Sequence, residues 1–302
     1  MSKTPDLHTH STASDGTLSP RELMARAAAQ GVEVLALTDH DTLAGIDEAA
    51  TAARALGLTL VPGVEISVTW NARTIHVIGL DVDPHCARLR AGLAGLLAYR
   101  EQRAAEIAQR LARAGWPGAL EGARAQAKGA LVGRTHFARF LVQRGAAQDV
   151  RSVFKRFLVK GKPGHVAGRW TTLEEAVGWI RAAGGQAVVA HPARYGLTRS
   201  RMKRLLDDFR ACGGRGIEVV SGSHSRDDAF TFARWAREQG LLASAGSDYH
   251  GPESPWIELG QLPPLPDGCR PIWSQPGFAR HGGAWPSPLA PTMSPGLDLA
   301  PA

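Results

Sequence analysis

The sequence predicts an α/β fold in which short buried strands alternate with helices, closed as a parallel barrel or laid out as a doubly wound sheet, with the barrel preferred. Its 302 residues are enough for one large α/β domain carrying an insertion. Short β-branched and apolar runs are separated by helical patterns with capping signals, an order that favours parallel strands with crossover helices. His8, His40, His191 and Asp248 each follow such a run, and in a barrel functional groups collect at the carboxyl ends of strands.

The elements follow in order. Asp6-Leu7-His8-Thr9-His10-Ser11 reads as a short strand whose two imidazoles, spaced by two, share one face. Ser19-Pro20-Arg21-Glu22 is a capping box with Pro at the first helical position, opening a helix to about Gln30. Val32–Leu37 is a buried strand, and an Ala-rich helix from Ala44 to Leu56 stops at Gly57. Leu58–Pro62, Val64–Val68 and Thr74–Val82 read as strand, and Leu89–Ala114 as a long helix. From Gly115 to His165 the rhythm breaks into short helical pieces rich in Arg and Lys. It resumes with a helix opening at Thr172, the strand Gln186–Ala190, a helix over 201–212, the strand Gly216–Val220, a helix over 227–239 and the strand Leu242–Gly246. The count is about seven strands.

An apolar fraction of 44% and a charged fraction of 21% are those of a soluble globular protein. No apolar run is long enough to span a membrane, and Met1–Pro5 carries no apolar leader. Cys86, Cys212 and Cys269 are odd in number and widely spaced, the pattern of reduced thiols, so the expected location is cytoplasmic. The net charge of +7 is uneven: residues 100–169 hold 15 Lys and Arg against 4 Asp and Glu, which leaves −4 for the rest. Such a basic, mainly helical insertion suits an anionic partner. Residues 275–302 hold ten Pro and Gly without a hydrophobic period and are expected to form a disordered tail, leaving 5–274 as the catalytic domain.

His8, His10, Asp15, His40, Glu65, His76, His191, Asp248 and His250 are the candidate ligands. Chance alone supplies about 0.4 His-x-His pairs in such a chain, so the recurrence of ligand-type residues at strand ends is the informative signal. Nine groups exceed what one ion takes. They suit two or three divalent ions with bridging carboxylates, and the absence of thiolates points to Mn, or to Fe or Zn, in a hydrolytic role.

Asp-Leu-His-x-His-Ser, Thr-Asp-His-Asp-Thr, Val-Pro-Gly-Val-Glu, Ile-His-Val, Ala-His-Pro and Gly-Ser-Asp-Tyr-His together resemble the motifs of the polymerase and histidinol phosphatase (PHP) superfamily. The resemblance implies a distorted seven-stranded β/α barrel with a trinuclear metal centre, and all nine ligands carry over; Asp15 stands where some members have His. Val132–Arg139, Gly161-Lys162-Pro163 and Ser221–Ser225 are similar to one branch, which contains nucleoside 3′,5′-bisphosphate phosphatases also described as 5′-to-3′ exoribonucleases on short RNA. The implied substrates are therefore a nucleoside 3′,5′-bisphosphate such as pAp, or short 5′-phosphorylated RNA, with no membrane and no obligate protein partner. Candidate substrate contacts are Arg134, Thr135, His136 and Lys162 in the insertion, Arg194 after His191-Pro192, and His224 on a Gly/Ser loop. Two other readings are a histidinol-phosphate phosphatase, which needs no broad basic insertion, and a non-catalytic nucleotide-binding module, which would be expected to have lost ligands.

Overall fold

Among the described residues six strands, β1 (Val34–Leu37), β2 (Thr59–Trp70), β3 (Arg73–Leu80), β4 (Gln186–Val189), β5 (Gly216–Ser221) and β6 (Leu242–Gly246), form one sheet in chain order. The computed structural model describes residues 4–129, 131–253 and 256–280. β1 and β2 pair parallel, as do β4, β5 and β6, but β3 is antiparallel to both of its neighbours. The sheet is thus parallel-rich and not wholly parallel. Asn71 and Ala72 both take positive φ (47° and 58°), the conformation that closes a two-residue hairpin between Trp70 and Arg73.

The segment Asp6–His10 is not a regular strand, yet it bonds to both edges of the sheet. The Asp6 amide donates to Val34 O (3.1 Å) and the Ala36 amide to Asp6 O (2.8 Å) on one side. On the other, Leu7 donates to Ala245 O and His10 to Tyr249 O, both at 2.9 Å. A Cβ at Gly246 would collide with His8, so glycine at that position is what lets the segment lie against β6. Leu7, Val34, Ala36, Val61, Ile78, Leu80, Val188 and Leu242 form a single buried cluster inside the curl.

Helices α1 (Pro20–Ala29), α2 (Ile46–Leu56), α7 (Leu173–Ala182), α8 (Arg199–Ala211) and α9 (Arg226–Glu238) bury their apolar faces on the outside. The capping boxes at Ser19–Glu22 and Thr172–Glu175 both form, each satisfying two otherwise orphan amides at a helix start. Between β3 and α7, α3 (Ala87–Arg113), α4 (Ala119–Gln126), α5 (Arg134–Gln143), α6 (Val150–Val153) and a π-helical turn over Phe154–Leu158 gather a separate apolar core around Ile107, Leu111, Phe137 and Leu141. No helix among the described residues is long and apolar enough to cross a membrane.

The chain does not leave the fold at Gln275. Phe278 and Ala279 are buried in the cluster inside the curl, and the Arg280 amide donates to Asp81 Oδ2 at 3.1 Å. The expected tail therefore does not include Gln275–Arg280, because one Phe within them carries enough apolar surface to anchor a Pro/Gly-rich stretch. Its remainder, 281–302, lies outside the described residues.

Candidate metal centre

All nine candidate ligands converge at one mouth of the curled sheet. His8 and His10 project side by side from the segment between β1 and β6, with their Nε2 atoms 3.1 Å apart. His40 follows β1, bridged to Glu65 of β2, and His76 lies on β3 opposite Ser67. His191 follows β4, and Asp248 and His250 follow β6. His191 and Asp248 take positive φ (25° and 55°), backbone strain of the kind retained where a side chain must be aimed.

Glu65 is the hub. Its Oε2 lies 2.8 Å from His40 Nδ1 and 3.4 Å from both His8 Nε2 and His10 Nε2. Its Oε1 lies 2.8 Å from His76 Nδ1 and 2.9 Å from His191 Nε2. Asp248 Oδ1 sits 3.2 Å from His10 Nε2 and 3.5 Å from His8 Nε2. Asp15 Oδ1 sits 3.3 Å from His250 Nε2 and 3.8 Å from His40 Nε2. Three overlapping groups result, His10–Asp15–His40–His250, His8–His10–Glu65 and His40–Glu65–His76, each with ligand atoms within 4.8 Å of one another.

The donor set fits divalent cations. Glu65 Oε2, His40 Nδ1 and Asp15 Oδ1 are buried and make no hydrogen bond among the described residues, although Glu65 Oε2 and His40 Nδ1 are only 2.8 Å apart. Buried polar atoms are ordinarily satisfied, and an imidazole nitrogen and carboxylate oxygens left unsatisfied in one buried cluster suit a shared ion. Burial would raise the Glu65 carboxyl, but His76, His40 and His8 hold it well below the usual carboxylate range. Burial would lower His250, yet Asp15 and Asp248 push it up to about 9. The carboxylates thus create a field that favours added positive charge at the centre. Burial lowers His10 to about 3 and His76 to about 4, whereas carboxylates outweigh burial and raise His8 and His40, whose protons ion binding would displace.

One functional carboxylate escapes the sequence reading. Glu218, fully buried on β5, bonds His8 Nδ1 through Oε1 at 2.9 Å and accepts the His191 amide through Oε2. It fixes the His8 ring so that Nε2 faces the cluster. A lone Glu inside the apolar run Gly216–Val220 was the available signal. Outer partners of this kind are worth about 10–100-fold in metal affinity. Glu218→Gln should therefore weaken metal binding by about that factor, measured by titrating metal into chelator-stripped protein. Unchanged affinity would reduce Glu218 to a packing role.

The candidate substrate residues divide. Thr135 donates its hydroxyl to Asp15 Oδ2 (2.8 Å), so it holds a ligand. His136 is buried and its Nδ1 accepts the Gly133 amide at the start of α5 (3.0 Å), with burial lowering its pKa to about 4. Lys162 is exposed on a turn and hydrogen-bonds through its backbone. His224 is tied to Val219 O through Nδ1 and stacks on Phe232, so it anchors its loop. Arg194, half-exposed, donates to Asp248 Oδ2 at 2.7 Å. Arg134 is half-buried at the start of α5 with its guanidinium 5.5 Å from the Phe154 ring centre and no hydrogen bond or ion pair among the described residues. Burial and then the charges of Arg100 and Arg194 lower its pKa, opposed by Asp15. Arg100, which the sequence reading passed over, bonds Asp41 Oδ2 through Nε (2.7 Å) and Ser67 Oγ (3.0 Å), joining α3 to the loop after His40 and to β2 beside Glu65.

Comparison with known proteins agrees with this geometry. The PHP domain family matches residues 6–158. The chain is 48% identical over 271 residues to the 3′,5′-nucleoside bisphosphate phosphatase of Chromobacterium violaceum, covering 89% of this chain and 95% of that one. It is 48% identical over 275 residues to the 5′-3′ exoribonuclease of Haemophilus influenzae, covering 91% of this chain and 100% of the relative. Among solved structures, an amidohydrolase from Chromobacterium violaceum with bound sulfate superposes with a TM-score of 0.86 at 48% identity, over 89% of this chain and 94% of that one. A protein of Bifidobacterium adolescentis described as a metal-dependent phosphoesterase superposes at 0.76 with 27% identity, over 90% and 94%. Matched by the family across half its length and by relatives at nearly half identity across most of the rest, the chain belongs to the PHP domain family.

Proposed function

We propose that this chain is a metal-dependent phosphoesterase that removes the 3′-phosphate of nucleoside 3′,5′-bisphosphates, converting pAp to AMP and phosphate, and trims short 5′-phosphorylated RNA from its 5′ end. The observation that carries the reading is the pairing of two stations. A cluster of imidazoles and carboxylates fit for divalent ions lies beside Arg134, a guanidinium with no hydrogen bond or ion pair among the described residues. The names of the close relatives, a nucleoside bisphosphate phosphatase and an exoribonuclease, support the same substrate class.

Two or three divalent ions, Mn foremost and Fe or Zn as alternatives, would supply an activated water and charge for the phosphate under attack. His8, His10, Asp15, His40, Glu65, His76, His191, Asp248 and His250 are the residues to hold them, with Glu65 shared between neighbouring positions. Glu218 and Thr135 fix the orientation of His8 and Asp15. Arg194 is anchored on Asp248 and keeps further N–H groups to offer a phosphate at the mouth. Arg134 holds the second phosphate, the 5′-phosphate of pAp or of RNA.

The test is a panel of pAp, histidinol phosphate, 5′-phosphorylated di- to pentanucleotides and p-nitrophenyl phosphate with added Mn. The bisphosphate or the oligonucleotides should be the preferred substrates, and a clear preference for histidinol phosphate would overturn the assignment. Losing a charge-assisted hydrogen bond costs about 1.5–3 kcal/mol, so Arg134→Ala should raise KM for pAp about tenfold or more and leave p-nitrophenyl phosphate nearly unaffected. Equal losses on both substrates would place Arg134 at the metal centre or in folding. No loss on either would move the second-phosphate role to Lys162, Arg194 or another basic residue.

A further inference from the structure

We infer that the cleft between the start of α9 and the loop over 256–267 receives the nucleobase on the 3′ side of the scissile phosphodiester when the substrate is an oligoribonucleotide; this rests on the phosphoesterase reading above. The cleft encloses about 650 Å³, a volume within the range of small-ligand sites. Two aromatic side chains stand at it unusually bare: Trp256 is 81% exposed and Phe230 53% exposed. Arg226 lies over the Phe230 ring at 5.7 Å, adding positive charge to the same rim. Glu258, also on the lining, is engaged by Arg26 through both carboxylate oxygens.

The cleft adjoins the metal centre through two residues of its lining. Ser247, which lines it, directly precedes Asp248. His224 lines it too, and its Nε2 accepts the amide of Ala193, between His191 and Arg194 (3.5 Å). The cleft and the basic insertion lie over different strands at the mouth. Arg100 bonds Asp41 and Ser67, Thr135 and Arg139 bond Asp15, and Lys128 bonds Thr17 O, so the insertion sits over the first segment, β1 and β2. The cleft sits over β5 and β6.

A phosphodiester has a nucleoside on each side. With the 5′-terminal phosphate held by Arg134, the chain beyond the scissile bond would run past the ligands toward β5 and the loop after β6. An exposed Trp is suited to meet it, because every base has a π-face and stacking is tolerant of sequence. The 3′-phosphate of pAp has no nucleoside beyond it, so pAp makes no use of the cleft. The two substrates of the proposed enzyme can therefore be separated by mutation.

The experiment compares full-length wild type, Trp256→Ala, Phe230→Ala and Trp256→Phe on pAp and on a 5′-phosphorylated pentanucleotide with Mn. Losing one stacked base should raise KM for the pentanucleotide about tenfold, while KM and kcat for pAp shift less than about twofold, and Trp256→Phe should recover most of the loss. Parallel changes on both substrates would make the aromatic pair a support for the metal centre and overturn the inference. No change on the pentanucleotide would place the base elsewhere and overturn it equally. If wild type hydrolysed neither substrate, the proposed function would fall. Equilibrium binding of a phosphorothioate-linked pentanucleotide to wild type and Trp256→Ala would then still decide whether the cleft holds a base.

Discussion

Asp248→Asn should lower turnover of pAp by about a thousandfold or more, equivalent to ~4 kcal/mol of transition-state stabilisation, while leaving the protein folded. The substitution keeps the shape of the side chain and an oxygen for Arg194 but removes the negative charge that faces His8 and His10 from 3.5 and 3.2 Å. Burial opposes that charge, and His8 and His10 more than compensate, holding the Asp248 carboxyl well below the usual range. The side chain is therefore ionised at neutral pH and available as a ligand. His10→Ala should be equally inactive, since His10 belongs to two of the three ligand groups. Neither change touches the apolar clusters that hold the sheet and its helices, so far-UV circular dichroism should match wild type. The decisive measurement is kcat in chelator-treated buffer and after adding Mn back. Near wild-type rates from either variant in metal-depleted buffer would sink the metal assignment.

The cluster of candidate ligands was legible in the sequence because coordination needs particular side chains at particular places. A spacing of two in an extended segment aligns His8 with His10, and strand ends place His40, His191 and Asp248 at one mouth. Glu218 was harder, because one carboxylate in an apolar strand has no spacing partner and reveals itself only when His8 is found 2.9 Å away. His136 reads as a substrate contact in Gly-Arg-Thr-His, but Gly133 has no side chain with which to cap α5. The imidazole three residues on turns inward to accept the Gly133 amide. Thr135 beside it bonds Asp15, and the Arg134 guanidinium makes no hydrogen bond or ion pair among the described residues. The antiparallel β3 was missed for a local reason. Asn71-Ala72 lacks the glycine that usually marks a two-residue hairpin, and the register with β2 rather than the turn dipeptide specifies the pairing.

Deleting everything after Ser274 should destabilise the protein by about 3–5 kcal/mol, the range for losing a buried Phe. By composition the Pro/Gly-rich stretch from Gln275 is a dispensable tail, and the geometry of Phe278 reverses that expectation. Phe278 is 5% exposed and Ala279 1% exposed. Both belong to the cluster with Leu7, Val34, Leu80 and Ile272 that fills the interior of the curled sheet. Leu7 is next to His8, so the same contacts back the segment that carries two ligands. Arg280 adds its amide to Asp81 Oδ2, just past the end of β3, and its guanidinium reaches Gly184 O. For a chain of this size 1 kcal/mol shifts a melting temperature by about 2–4 °C, so truncation at Ser274 should lower it by roughly 10 °C. The matched comparison is truncation after Arg280, which keeps every contact named here. Phe278→Ala in the full-length chain then isolates the ring, and it should reproduce most of the loss. Calorimetric scans of the three variants check the argument: if truncation at Ser274 and truncation after Arg280 melt together, Phe278 contributes nothing and the interior of the sheet is sealed without it.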